Sequence, residues 1–270
     1  MEIDKIIEIN RQAWNEATQH HQRARGYELF NGFSNSNFST LERDGDENLI
    51  AEIRKIDLTG KVIVQIPCNN GRELLSLMKY GAREGVGFDL SDTAIDEAKK
   101  LAEISKLNVK FNRINILDIG NNWDATFDFI YISEGSLQWF PNLNDFFKVI
   151  ARLLKPEGNL LIYEMHPFAY LLEQIEDNKN EITISDLLPY FKKGPYSYKD
   201  GLDYVGEIKY NAKECCWFMH TVSDIITAII KNNISIVDFR ELEVEMGNNP
   251  ITKRYDKLPL SYILKGQLNS

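Results

Sequence analysis

Cysteine is scarce in this chain of 270 residues: Cys68, Cys215 and Cys216 are an odd set with two neighbours adjacent, which argues against a disulfide framework and fits a reducing compartment. Long apolar runs are also lacking. The best stretches, Asn159 to Tyr163 and Asp224 to Ile230, fall far short of the roughly 18 residues a membrane helix needs, which excludes an integral helical membrane protein. The first residues, Met1-Glu-Ile-Asp-Lys-Ile, show no basic region followed by an apolar one, so no secretory signal is read and the expected location is the cytoplasm. Basic charge is outweighed, 31 Lys and Arg against 40 Asp and Glu, for a formal charge of −9. Such a field does not attract a polyanion, and nucleic acid is disfavoured as a partner.

What is present is ordinary globular composition, 43% apolar and 26% charged. At roughly 150 residues per domain, the length allows one large domain or a core with an added cap. From Lys61 onward, strand-like apolar runs alternate with amphipathic helical stretches, the pattern of repeated βαβ units around a parallel sheet. Strands are predicted at 61–67, 85–90, 109–114, 127–132, 159–165, 234–241 and 260–265. Helices are predicted at 72–80, from Ser91 or Asp92 through Ile104, at 144–154 and at 222–231, with Gly81 as a left-handed cap and Lys155-Pro-Glu-Gly158 as a turn. Before this core, 5–22 and 49–56 read as helices and 31–40 as a polar loop. After His166-Pro167 the rhythm breaks for about fifty residues. The expected division is 1–58 as an N-terminal helical lid, 59–167 as the α/β core, 168–220 as an inserted cap and 221–270 as the rest of the core.

In sheets of this kind a ligand binds beyond the carboxyl ends of the strands, so the residues that follow each strand are the ones that can carry chemistry. The first crossing, Gln65-Ile-Pro-Cys-Asn-Asn-Gly71, is a tight turn that opens a helix and whose glycine allows close approach of backbone to ligand. Strand two ends at Asp89, where a carboxylate can accept both hydroxyl hydrogens of an adenosine ribose, or cap the next helix. Asn115 can bond an adenine amino group while Ile116 packs on the ring. An ordinary polar turn is the rival reading there.

Together these residues resemble a family. Ile63-Val-Gln-Ile-Pro-Cys-Asn-Asn-Gly71 stands where class I S-adenosylmethionine-dependent methyltransferases carry a Val-Leu-Asp-Leu-Gly-Cys-Gly-x-Gly-like segment. Gly85-Val-Gly-Phe-Asp-Leu-Ser91, Phe127-Asp-Phe-Ile-Tyr-Ile-Ser-Glu-Gly135 and Leu153-Leu-Lys-Pro-Glu-Gly158 look like its second strand, fourth strand and the turn before its fifth. The chain looks closest to a bacterial branch with a Gln-Cys-Asn/His-x-Gly-like turn, Trp139 after strand four and Glu164-x-His-Pro167 after strand five. Three departures stand out: Pro67 and Asn69 replace two glycines, and Gln65 replaces the usual acidic residue. Pro67 also removes an amide donor.

The resemblance implies a Rossmann-like seven-strand, mostly parallel sheet with helices on both faces. It implies S-adenosylmethionine as cofactor, S-adenosylhomocysteine as product and a small-molecule methyl acceptor. Cys68, Asn69, Asn70 and Gly71 would lie along the methionine part, Asp89 and Leu90 at the ribose, Asn115 and Ile116 at adenine, and Ser133 and Glu134 at the sulfonium. Trp14, Arg23 and Tyr27 are its lid candidates. If the acceptor must lose a proton, His166 is the candidate base and Glu134 the alternative, which can instead bind the cofactor's amino group. Cys215, Cys216 and His220 lack a second cluster and read as part of a packed wall with Trp217, Phe218 and Met219, so no metal is expected. Rival functions are an RNA-modifying methyltransferase using Arg23, Arg25 and Arg43, and a non-catalytic protein that binds an adenosyl ligand. A nicotinamide dehydrogenase is disfavoured by the lack of a Gly-x-Gly-x-x-Gly run.

Overall fold

A computed structural model describes residues 2–172, 175, 181–244 and 257–270. The parts of the expected cap at 173, 174 and 176–180, and of the expected final core segment at 245–256, lie outside the described residues. The apolar runs become the strands β1 (Val62–Gln65), β2 (Glu84–Asp89), β3 (Val109–Arg113), β4 (Phe127–Ile132), β5 (Leu154–Met165), β8 (Ile234–Leu242) and β9 (Ser261–Leu268). They form one seven-stranded sheet in the order β3-β2-β1-β4-β5-β9-β8, in which β9 runs antiparallel to both neighbours. The short strands β6 (Tyr196–Tyr198) and β7 (Cys215–Trp217) pair separately.

Side chains alternate across a strand, and here both faces are buried, which is why the central strands read as continuous apolar runs. Val62, Val64, Ile130, Ile132 and Ile162 face one core, shared with α7 (Leu143–Leu153) and α9 (Val222–Lys231). Ile63, Phe129, Tyr131 and Leu161 face the other, shared with α4 (Glu47–Lys55), α5 (Arg72–Leu77) and α6 (Asp92–Ser105). Register sets Gln65 beside Gly87 of β2 and Tyr131 of β4. The residues just past β1, β2 and β4 therefore converge.

The segment 31–40 narrows the expected loop. Only its ends are helical, in α2 (Glu28–Phe33) and α3 (Thr40–Asp44), while 34–39 is the expected loop; Phe33 and Leu41 bury in the second core and Ser39 caps α3 through the N–H of Glu42. The expected turn at 155–158 appears as an irregularity within β5, between the pairs Phe127–Leu154 and Phe129–Asn159. The long helix α1 (Ile3–Arg25) packs on α6 and on β7, and α8 (Pro167–Tyr170) follows β5. No helix among the described residues is long and apolar enough to cross a membrane.

Candidate active site

The turn after β1 takes left-handed backbone at Asn69 (φ 48°) and at Gly71 (φ 74°). Asparagine serves at the first of these because its short amide side chain tolerates that region better than most residues with a Cβ. Its N–H donates to Asp89 Oδ2 at 2.8 Å, and its side-chain oxygen accepts the N–H of Asn70 at 2.7 Å. Gly71 has a different duty from the one expected. A Cβ there would stand 2.3 Å from the Phe111 ring, and one at Gly87 2.5 Å, so Phe111 fills the space beneath the turn that two glycines leave. Gly71 does not line the cavity described below.

Asp89 is held from both sides, since Oδ1 accepts the N–H of Ser91 at 2.9 Å while Oδ2 takes that of Asn69. Burial pushes its carboxyl above the usual range, against the pull of three backbone N–H groups. The cap of α6 is Ser91, whose Oγ accepts the N–H of Ala94, and Asp89 is left to face the crevice with Leu90. Asn115 Nδ2 donates to Asp118 at 3.1 Å, and Ile116 is buried against the core, both at the same crevice.

Past β4, the loop that carries Ser133 and Glu134 is shaped by a residue to which the sequence reading gave no role. Glu164, at the end of β5, accepts the N–H groups of Gly135, Ser136 (2.8 Å), Leu137 (2.9 Å) and Met165 (2.8 Å). Burial pushes its carboxyl up to about 7, while those four N–H groups favour the charged form. The legible signal was an acid ending an otherwise apolar strand.

A cavity of about 1480 Å³ runs along these strand ends, lined at its floor by Cys68, Asn69, Asn70, Asp89, Leu90, Asn115, Ile116, Ser133 and Glu134. Its roof is α1 and the segment from Ser197 to Tyr210. Trp14 meets Trp139 edge to face at 5.4 Å and Tyr204 at 6.5 Å, while Tyr204 Oη accepts from Asn69 Nδ2 at 3.3 Å. Among the described lining residues, Arg72, Lys199 and Lys209 face six acidic side chains.

Several expected members lie elsewhere. Arg23 and Tyr27 sit at the far end of α1, outside the cavity, with Tyr27 79% exposed, whereas Ile3, Ile7 and Asn10 of the same helix line it beside Trp14. Helical periodicity turns Arg23 to another face, and Tyr27 lies beyond the end of α1, past Gly26. His166 is also outside: its ring is buried, Nδ1 accepts the N–H of Phe168 at 3.1 Å, and Nε2 lies 3.0 Å from Glu241. His220 turns to the carbonyl of Phe140 at 2.8 Å, and His21 to that of Leu202 at 2.9 Å.

Residues 64–162, the segment that builds the floor, match a family model described as a methyltransferase domain. A ubiquinone biosynthesis O-methyltransferase of Coxiella burnetii is 34% identical over 107 residues, 40% of this chain and 44% of that protein. The chain thus aligns with under half the length of this curated relative. Two solved S-adenosylmethionine dependent methyltransferases share the fold. The one from Listeria monocytogenes has a TM-score of 0.63 at 19% identity and covers 82% of this chain and 96% of its own. That from Mesorhizobium loti has 0.59 at 18%, covering 83% and 99%. The residues that build the crevice floor thus match a methyltransferase domain, and the chain shares its fold with S-adenosylmethionine dependent methyltransferases.

Proposed function

We propose that this protein transfers a methyl group from S-adenosylmethionine to a small organic acceptor held between the strand-end crevice and the aromatic roof. The observation that carries the reading is the single cavity of about 1480 Å³ that joins the two, larger than the roughly 300–1,000 Å³ of a one-ligand site. The donor set fits the cofactor. In this reading Asp89 accepts the ribose hydroxyls, Asn115 and Ile116 meet adenine, and Cys68, Asn69 and Asn70 lie along the methionine part. When bound, the cofactor supplies a methyl group already activated by a positive sulfur. The protein's task is then alignment and exclusion of water, which supplies much of the rate in such a displacement.

Ser133 and Glu134 stand beside the reacting centre in this reading, and Glu134 is the carboxylate that takes a proton if the acceptor must lose one. His166 is not proposed as the base, because its ring does not reach the cavity. Residues 1–58 act as a lid and 168–220 as a cap that shapes acceptor choice, and the protein works in the cytoplasm. The acidic lining favours a neutral or cationic small acceptor over nucleic acid. The O-methyltransferase relative, named for ubiquinone biosynthesis, supports an oxygen acceptor in a small molecule.

Calorimetric titration with S-adenosylmethionine, S-adenosylhomocysteine and NAD is the test. Micromolar binding of the two adenosyl ligands, weakened at least tenfold in Asp89→Ala with the fold intact by circular dichroism, is expected. Unchanged affinity in that variant would refute the ribose assignment. Binding without turnover across a broad acceptor panel would favour a sensor, and tRNA binding with a steep salt dependence an RNA-modifying enzyme.

A further inference from the structure

β1 ends in an amide, Gln65, where the resembled family usually carries an acid, and a carboxylate stands beside it. Gln65 is 1% exposed, and its Nε2 donates to Glu73 Oε2 at 2.6 Å and to Ser133 Oγ at 3.1 Å. Its own carbonyl oxygen is buried with no hydrogen-bond partner. A neutral amide does not attract a cation by charge, but it aims a carboxylate. With Oε2 tied to Gln65, the other oxygen of Glu73 accepts no hydrogen bond among the described residues, and Glu73 and Ser133 both line the cavity. Toward the cavity, the open carboxylate oxygen and the Ser133 hydroxyl are both acceptors. Their natural guest is a group with several N–H donors and a positive charge.

Arg72, the next residue back, supplies the opposite chemistry. It too lines the cavity, and its guanidinium donates no hydrogen bond and makes no ion pair among the described residues. Arg11, Arg43, Arg54, Arg152 and Arg240 each pair with a carboxylate. Burial disfavours its charge, but the Tyr204 hydroxyl and the carboxylates of Glu73, Glu134 and Asp44 outweigh that at longer range and raise its pKa, and its planar fork, with no donor spent on a hydrogen bond among the described residues, suits a carboxylate.

We propose that Arg72 and Glu73, the first two residues of α5, form a clamp for the α-amino-acid end of the ligand. Glu73, steadied by Gln65, takes the ammonium in place of an acid at the end of β1, and Arg72 takes the carboxylate. The clamp rests on the S-adenosylmethionine reading above and assigns the amino-acid end of that ligand to residues outside the usual strand-end position.

The test is calorimetric titration of the whole protein with S-adenosylhomocysteine and with 5′-methylthioadenosine, which keeps the adenosine thioether but lacks the amino-acid group. Wild-type protein should prefer S-adenosylhomocysteine. Glu73→Gln, which keeps an oxygen for Gln65, and Arg72→Met should each weaken S-adenosylhomocysteine at least tenfold and leave methylthioadenosine within twofold. Unchanged S-adenosylhomocysteine affinity in both variants overturns the clamp. An equal loss for both ligands also overturns it, since it would mean that the two residues only support the turn. Wild-type protein that binds neither ligand overturns the cofactor reading and the clamp with it.

Discussion

Burial lowers the pKa of His166 below the usual histidine range, against the pull of Glu241. Both ring nitrogens face protein groups and neither faces the cavity, so the side chain caps α8 and braces β8. We expect His166→Ala to keep turnover within about threefold in a steady-state assay while losing about 1–3 kcal/mol of stability in urea, as for a buried hydrogen-bonded group. A drop of several hundredfold in kcat with unchanged stability would restore the ring to the chemistry. Glu164 is a residue of another kind, because its four N–H partners build the loop that presents Ser133 and Glu134.

Among the elements, α1 ties β7 to the floor of the cavity. Asn10 behaves as a short extra strand, its Nδ2 donating to the Cys216 carbonyl at 2.8 Å and its Oδ1 accepting the Cys216 N–H at 2.7 Å. One turn further on, Asn15 accepts from Ser91 Oγ at 2.7 Å and donates to Asp92 at 2.8 Å, next to the Asp89 turn. The same helix therefore touches β7 and the end of β2. Asn10→Ala leaves the Cys216 N–H and carbonyl buried without partners, an expected cost of about 1–3 kcal/mol. Limited proteolysis should then cut the segment from Ser197 to Tyr210 faster than in wild type. An unchanged cleavage rate would mean that β7 is held without α1.

For the whole molecule, acid is the expected weakness. His21 is buried beside Asp203 (3.6 Å) and near Arg25, and burial lowers its pKa from 6.5 to about 4. Between those values the unfolded chain binds a proton that the folded chain refuses. Stability should therefore fall as pH drops from 6.5 to about 4, by about 3 kcal/mol, and hold steady above that window. Glu52 adds a second step. Its carboxylate meets Lys55, Lys265 and Arg240, which lower its pKa from 4.5 to about 2, so its contribution is present above 4.5 and lost as pH falls toward 2. Urea unfolding at pH 7, 5 and 4 checks the first window, and His21→Gln should flatten it.

Periodicity is a local property, and it was enough for the βα units. Alternating apolar runs specify strands buried on both faces, Asp89 marks the end of the second, and the motifs at the strand ends carried the resemblance. The turn departures were visible as residue types, but their meaning depended on neighbours: Asn69 is tolerated because the chain turns left-handed there, and Gly71 is needed because Phe111 arrives from β3. Helices α2 and α3 were hidden because each is too short to show a helical period, and what holds them is burial of Phe33 and Leu41 against a distant core. The roof was hidden by distance as well. Which side chains of α1 line the cavity is decided by contacts such as Asn10 with Cys216, 206 residues apart, and no local pattern encodes a pairing at that distance.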